Sequence, residues 1–138
     1  AARNEHIKNV IYPALKKKKV IISDRFTDST FAYQVYGKKV KRSFIDTIHK
    51  FILKKIRPNI TFILTVSPES SKKRLSKRRT KNRYDNFPQS FYSNAQKAFI
   101  KLAKRKKRYF ILDSSKNDKN LEKIIFKIVC KQLGVKWV

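Results

Sequence analysis

The sequence predicts an α/β fold: a three-layer parallel sheet with flanking helices. Two observations lead there. Three short runs, Val20-Ile21-Ile22-Ser23-Asp24, Ile60-Thr61-Phe62-Ile63-Leu64-Thr65-Val66 and Tyr109-Phe110-Ile111-Leu112, are apolar and rich in β-branched or aromatic residues. Between them lie longer stretches whose apolar residues recur at helical spacing. Strands that are apolar at consecutive positions suit a sheet covered on both faces, and alternation with helices makes such a sheet parallel. At 138 residues and 41% hydrophobic content, the chain has the size and the apolar surface for one domain over residues 1–138.

The elements follow in order. Residues 3–15 place Ile7, Val10, Ile11, Ala14 and Leu15 on one helical face, with Pro13 positioned to bend the end. After the lysine run 16–19 comes the first strand, 20–24. Residues 43–56 return to helical spacing through Phe44, Ile45, Ile48, Ile52 and Ile56, with Ser43 as the expected N-cap. The second strand, 60–66, leads into Ser67-Pro68-Glu69: a capping hydroxyl, a proline at the first helical position and an acid in the first turn. A very basic segment runs to about residue 83, and a helix is expected from about 89 to 107. The third strand precedes a last helix, capped by Asp118 and carrying Leu121, Ile124, Ile125, Ile128, Val129 and Leu133.

The net charge is +27, from 36 Lys and Arg against 9 Asp and Glu. Such a balance suggests a polyanion partner. However, the 26 lysines are spread over nearly every segment, and Ile, Asn, Phe and Tyr abound while Gly and Ala are scarce. This pattern points to A/T-rich coding more than to a nucleic-acid surface, so no specific nucleic acid is expected. A basic nucleic-acid-binding protein is the alternative reading. The lone Cys130 falls in an apolar helical stretch and reads as a small core residue of a protein from a reducing, cytoplasmic compartment. No apolar run approaches the ~20 residues that span a bilayer, so no membrane partner is expected. The chain has no methionine and opens inside a helical pattern, so position 1 is expected to be a cut or processed end.

Ligands of open parallel sheets bind beyond the carboxyl ends of the strands. That rule selects Asp24 with Arg25, the segment after Val66, and Asp113-Ser114-Ser115. An aspartate can hold a hydrated Mg²⁺, and an arginine can fork onto phosphate oxygens. His6 and His49 have no metal-type spacing and receive no catalytic role.

The string Asp24-Arg25-Phe26 … Ser29-Thr30-Phe31-Ala32-Tyr33-Gln34 resembles the signature of the thymidylate kinases. The resemblance extends to Ala1-Ala2-Arg3 and Val10-Ile11-Tyr12-Pro13-Ala14-Leu15 upstream, and to Arg57-Pro58-Asn59-Ile60-Thr61 and Val66-Ser67-Pro68-Glu69 downstream. It implies transfer of the ATP γ-phosphate to dTMP, giving dTDP, with ATP as co-substrate and Mg²⁺ as cofactor, by a homodimer. It further implies that Arg3 binds thymine, that Thr30 and Gln34 line the base, and that Tyr33 disfavours a ribose 2′-hydroxyl. Arg25 would hold the acceptor phosphate and Asp24 would stand near the metal. Arg74, Arg78 and Arg83 would be lid arginines in a lid of about residues 72–87, Arg78 and Arg83 being counted with Asp24 and Arg25 as catalytic. Asp113, Ser114 and Ser115 would lie near adenine. Phosphoryl transfer spreads charge over equatorial oxygens, which makes cationic positioning groups the expected equipment.

The family's fold is that of P-loop nucleoside monophosphate kinases. With only Gly37 and Gly134, these 138 residues hold no glycine-rich phosphate cradle. The expectation is therefore a partial kinase domain lacking the family's own first strand and P-loop, inactive alone, either a fragment or a relic. Lesser departures are Lys38 in place of an arginine, Leu64-Thr65-Val66 in place of Leu-Asp-Val, and Asn82-Arg83-Tyr84-Asp85 in place of the lid's Asp-Arg-x-Glu.

Overall fold

The computed structural model describes residues 2–77, 87–104, 106–116 and 118–136, and it divides into two units, Ala1–Arg57 and Pro58–Val138.

In the first unit, α1 (Ala2–His6), a π-helical turn (Ile7–Ile11) and α2 (Tyr12–Lys16) follow one another directly. The Tyr12 amide bonds to the Ile7 carbonyl, five residues back. This widened turn ends just before Pro13, whose ring leaves no amide to bond. Of the expected apolar stripe only Ile7 and Ile11 are buried, while Val10 and Leu15 stay exposed.

The run 20–24, expected as the first strand, is not one. Among the described residues it pairs with nothing, and Val20 and Ile22 are 64% and 96% exposed. An apolar, β-branched run becomes a strand only where a neighbour accepts its ladder bonds.

Next, α3 (Thr27–Thr30) passes directly into a second π-helical segment, Phe31–Gly37. That segment closes with the Lys38 amide on the Tyr33 carbonyl at 3.0 Å, and the Val40 amide on the Gln34 carbonyl at 2.9 Å. Helix α4 (Arg42–Leu53) starts earlier than the sequence suggested. Lys41 occupies the N-cap position without a side-chain cap. Ser43 lies inside the first turn, where its carbonyl accepts the Thr47 hydroxyl at 3.0 Å. Ile45 and His49 face inward and Phe44 and Phe51 outward.

The second unit holds the sheet. Strands β1 (Thr61–Thr65) and β2 (Tyr109–Asp113) pair in parallel, from Thr61 opposite Tyr109 to Thr65 opposite Asp113. The sheet of the described residues is thus two strands wide. Three helices complete the unit, α5 (Pro68–Ser76), α6 (Gln89–Ala103) and α7 (Lys119–Leu133) in chain order. Helix α6 packs on both strands, where Ile63, Ala103 and Tyr109 form a buried cluster against Phe99. Helix α6 buries Phe91, Ala95, Ala98 and Leu102, spaced four, three and four apart. It stops at Ala103, short of the expected 107, because the charged run 104–107 has no apolar face to bury and crowds like charges.

Both expected caps on the second unit form. The Ser67 hydroxyl accepts the Ser70 amide at 3.2 Å, and an Asp118 carboxylate oxygen accepts the Leu121 amide at 3.1 Å. At the other end of α7, Gly134 adopts φ +69°, the left-handed geometry that glycine tolerates best. Removing the cap as Asp118→Ala is expected to cost about 1 kcal/mol. Urea unfolding followed at 222 nm checks this, and an unchanged midpoint would deny the cap any role.

Candidate nucleotide site

Arg3 stands at the start of α1, half-buried, and turns its guanidinium into the first unit. Its Nη1 donates to Thr30 Oγ1 at 2.8 Å and lies 3.4 Å from His49 Nε2. Its Nη2 donates to the Phe26 carbonyl at 3.4 Å, and its Cζ stands 5.8 Å from the centre of the Phe26 ring. Burial lowers the Arg3 pKa from its ordinary value, yet a guanidinium keeps its charge in proteins. A planar cation held by three separate elements presents fixed N–H donors, which is what recognition of a heterocycle's edge requires.

Arg25 occupies the turn between the 20–24 run and α3 with φ +64°. That conformation costs a non-glycine residue roughly 1–2 kcal/mol. It aims the side chain back over α3, where Nε donates to Ser29 Oγ at 3.3 Å and Cζ lies 4.7 Å from the Tyr33 ring centre. Arg25 is exposed, as is its neighbour Asp24.

The structure therefore joins Arg3 to Thr30 and Arg25 to Tyr33. Gln34 follows Tyr33 on the same π-helical segment, half-buried. Thr30, Tyr33 and Gln34 are brought onto one continuous stretch by α3 and its widened continuation. Widened helical turns recur at functional sites because they re-aim side chains that regular α-geometry would point elsewhere.

The second unit carries the other candidates. Ser114 is buried, and both its amide and its hydroxyl donate to the Thr65 carbonyl, each at 2.8 Å. The Ser115 amide donates to Asp113 Oδ1 at 2.8 Å, and the Ser67 amide donates to Ser115 Oγ at 3.3 Å. Hydrogen bonds from the Ser115 side chain and backbone lower the Asp113 pKa below its ordinary value. Arg74, expected as a lid arginine, donates from Nη2 to the carbonyls of Ser114 and Ser115. It ties α5 to the turn after β2. Arg78 and Arg83 lie outside the described residues, as does most of the expected lid segment 72–87. Among the described residues no three His, Cys, Asp or Glu side chains gather as a metal cluster, and no helix is long and apolar enough to cross a membrane.

Sequence reasoning overlooked His49. It is only 7% exposed and meets the Phe31 ring edge-on, with centroids 5.0 Å apart. A signal for it existed, because 49 continues the Ile45 and Ile52 face of α4 at four and three residues.

Helices and a small parallel sheet define an α/β protein, and a solved neighbour gives its type, the nucleoside monophosphate kinase fold. This neighbour, the crystal structure of thymidylate kinase from Ehrlichia chaffeensis, superposes with TM-score 0.61 at 30% identity, over 81% of this chain and 49% of that one. Residues 1–125 match the thymidylate kinase family model. The chain is 39% identical over 129 residues to a thymidylate kinase of Onion yellows phytoplasma, covering 91% of this chain and 62% of that protein. It is 34% identical over its full length to one of Buchnera aphidicola, covering 63% of that protein. The chain belongs to the thymidylate kinase family. It spans about 60% of the length of the curated relatives it matches.

Proposed function

We propose that this chain carries the acceptor-nucleotide half of a kinase that phosphorylates dTMP to dTDP. The observation behind this reading is the Arg3–Thr30 bond at 2.8 Å. It fixes a half-buried cation's donors beside a hydroxyl, which together suit the O4 and N3 edge of thymine. Arg25, fixed over Tyr33, is the group for the 5′-phosphate, since its exposed guanidinium can fork onto two phosphate oxygens. Tyr33 and Gln34 complete the walls for sugar and base.

Asp24 is the one carboxylate in residues 19–27. It fits Mg²⁺, an ion that keeps several of its waters and takes one or two carboxylates together with substrate phosphates. When bound, the metal would neutralise charge on the phosphates of ATP and dTMP. The chain's own contribution is to hold the acceptor: Arg3 sets the base, and Arg25 sets the phosphate oxygen for in-line attack. Arg78 and Arg83 are proposed as lid cations over the transferring phosphoryl group, and Asp113, Ser114 and Ser115 as the turn near adenine.

Calorimetric titration of the chain with dTMP, dCMP and thymidine tests this reading. Expected is saturable binding of dTMP, at least tenfold tighter than of dCMP or the unphosphorylated nucleoside. Equal affinity for dTMP and dCMP would remove the base assignment.

A further inference from the structure

We propose that His49 is a positioning residue: its neutral ring accepts a hydrogen bond from Arg3 at Nε2 and so fixes the Arg3 guanidinium for the nucleotide base. The part of this inference that concerns the base rests on the reading of Arg3 given above.

The argument starts from donors and acceptors. A guanidinium only donates, so at 3.4 Å the Arg3 Nη1–His49 Nε2 contact is a bond only if Nε2 is unprotonated. The ring proton then sits on Nδ1. The ring's place is set by packing: His49 is buried on the inner face of α4 and is met edge-on by Phe31 from the π-helical segment. Arg3 has two further partners, Thr30 and the Phe26 carbonyl, and these come from the loop and helix ahead of that segment. His49 is the partner supplied by α4, so it stops rotation of Arg3 away from α3.

The charges around the ring agree with this arrangement. Burial, and then the nearby Arg3 cation on α1, lower the His49 pKa below its ordinary value. Asp46 on α4 and Asp28 on α3 act in the opposite direction and rank below both. A histidine whose folded pKa is depressed binds its proton more readily when unfolded, so its contribution to stability is present above the ordinary histidine pKa and is lost as pH falls through the folded value. The same protonation would set two cations face to face and release Arg3. Base recognition should therefore weaken as pH drops below the ordinary histidine range.

The test compares two substitutions. His49→Asn keeps an acceptor and loses the ring. His49→Phe keeps ring volume and the edge-on contact with Phe31 but accepts nothing. Expected is dTMP affinity within about threefold of the parent for His49→Asn and about tenfold weaker for His49→Phe, together with loss of the acid-side fall in affinity in both. Wild-type affinity in a folded His49→Phe protein would overturn the proposal.

A second measurement does not depend on nucleotide. Long-range ¹H–¹⁵N correlation spectra of the parent chain at neutral pH should show His49 protonated at Nδ1 and bare at Nε2. A proton on Nε2 overturns the proposal even if both variants fail to fold. Should the parent chain bind no dTMP, the acceptor-site reading falls, while the tautomer still decides whether His49 holds Arg3.

Discussion

Replacing Arg3 by alanine is expected to weaken dTMP binding by about 10- to 100-fold while leaving the melting temperature nearly unchanged. A hydrogen bond to a charged group is worth about 1.5–3 kcal/mol, which is that range of fold-change. The substitution also leaves the Phe26 carbonyl and the Thr30 hydroxyl without the donor they now share. Both groups lie near enough to solvent to be rehydrated, so the penalty on folding stays small. Arg3→Lys should recover little, because an ammonium is a point charge and cannot span Thr30, His49 and a base edge together. The measurement is dTMP titration by calorimetry, paired with thermal unfolding by circular dichroism. Undiminished binding by Arg3→Ala would show that thymine is recognised elsewhere.

Replacing Arg25 should separate function from stability. Arg25→Ala and Arg25→Gly are both expected to lose about 100-fold in dTMP affinity, since a forked pair of charge-assisted bonds to phosphate goes with the guanidinium. Affinity for thymidine, which has no phosphate, should move by less than threefold in either. The two variants should differ in folding. At φ +64° alanine keeps the strained left-handed backbone, whereas glycine adopts it freely. Arg25→Gly should thus be about 1 kcal/mol more stable than Arg25→Ala. Equal loss of dTMP and thymidine binding would mean that Arg25 does not meet the phosphate. Equal stability would mean that the left-handed turn is not retained.

Tolerating a strained residue at that turn makes sense if the turn sets the direction of the side chain. A right-handed backbone at Arg25 would point the guanidinium away from Ser29 and Tyr33, and the cation–π contact at 4.7 Å would be lost. Strain of this kind persists where the surroundings over-determine it, and such places cluster at ligand sites. The fold also holds two π-helical segments. One ends just before Pro13, and the other carries Gln34 and Tyr33, whose ring lies beside Arg25.

Local signals made several features of this protein legible from residues alone. Ser67 and Asp118 cap their helices because a short side chain acceptor ahead of an apolar helical run has few better uses than the free amides of the first turn. β1 and β2 stand within a residue of where their runs of β-branched and aromatic residues put them. The Asp24–Gln34 string and the motifs around it carried the family, since several ordered motifs seldom agree by chance. Other features were decided only by contacts distant in sequence. The run 20–24 has the composition of a strand, but a ladder needs a partner, and composition cannot supply one. Arg74 is one cation among many in its segment, and only the approach of the 113–115 turn shows it bonded to two carbonyls there. His49 looked like an ordinary helical histidine until Arg3, 46 residues away, was found beside it. Short-range patterns specify what each segment can form, while long-range packing determines which donor meets which acceptor, and the chemistry of the site depends on the second.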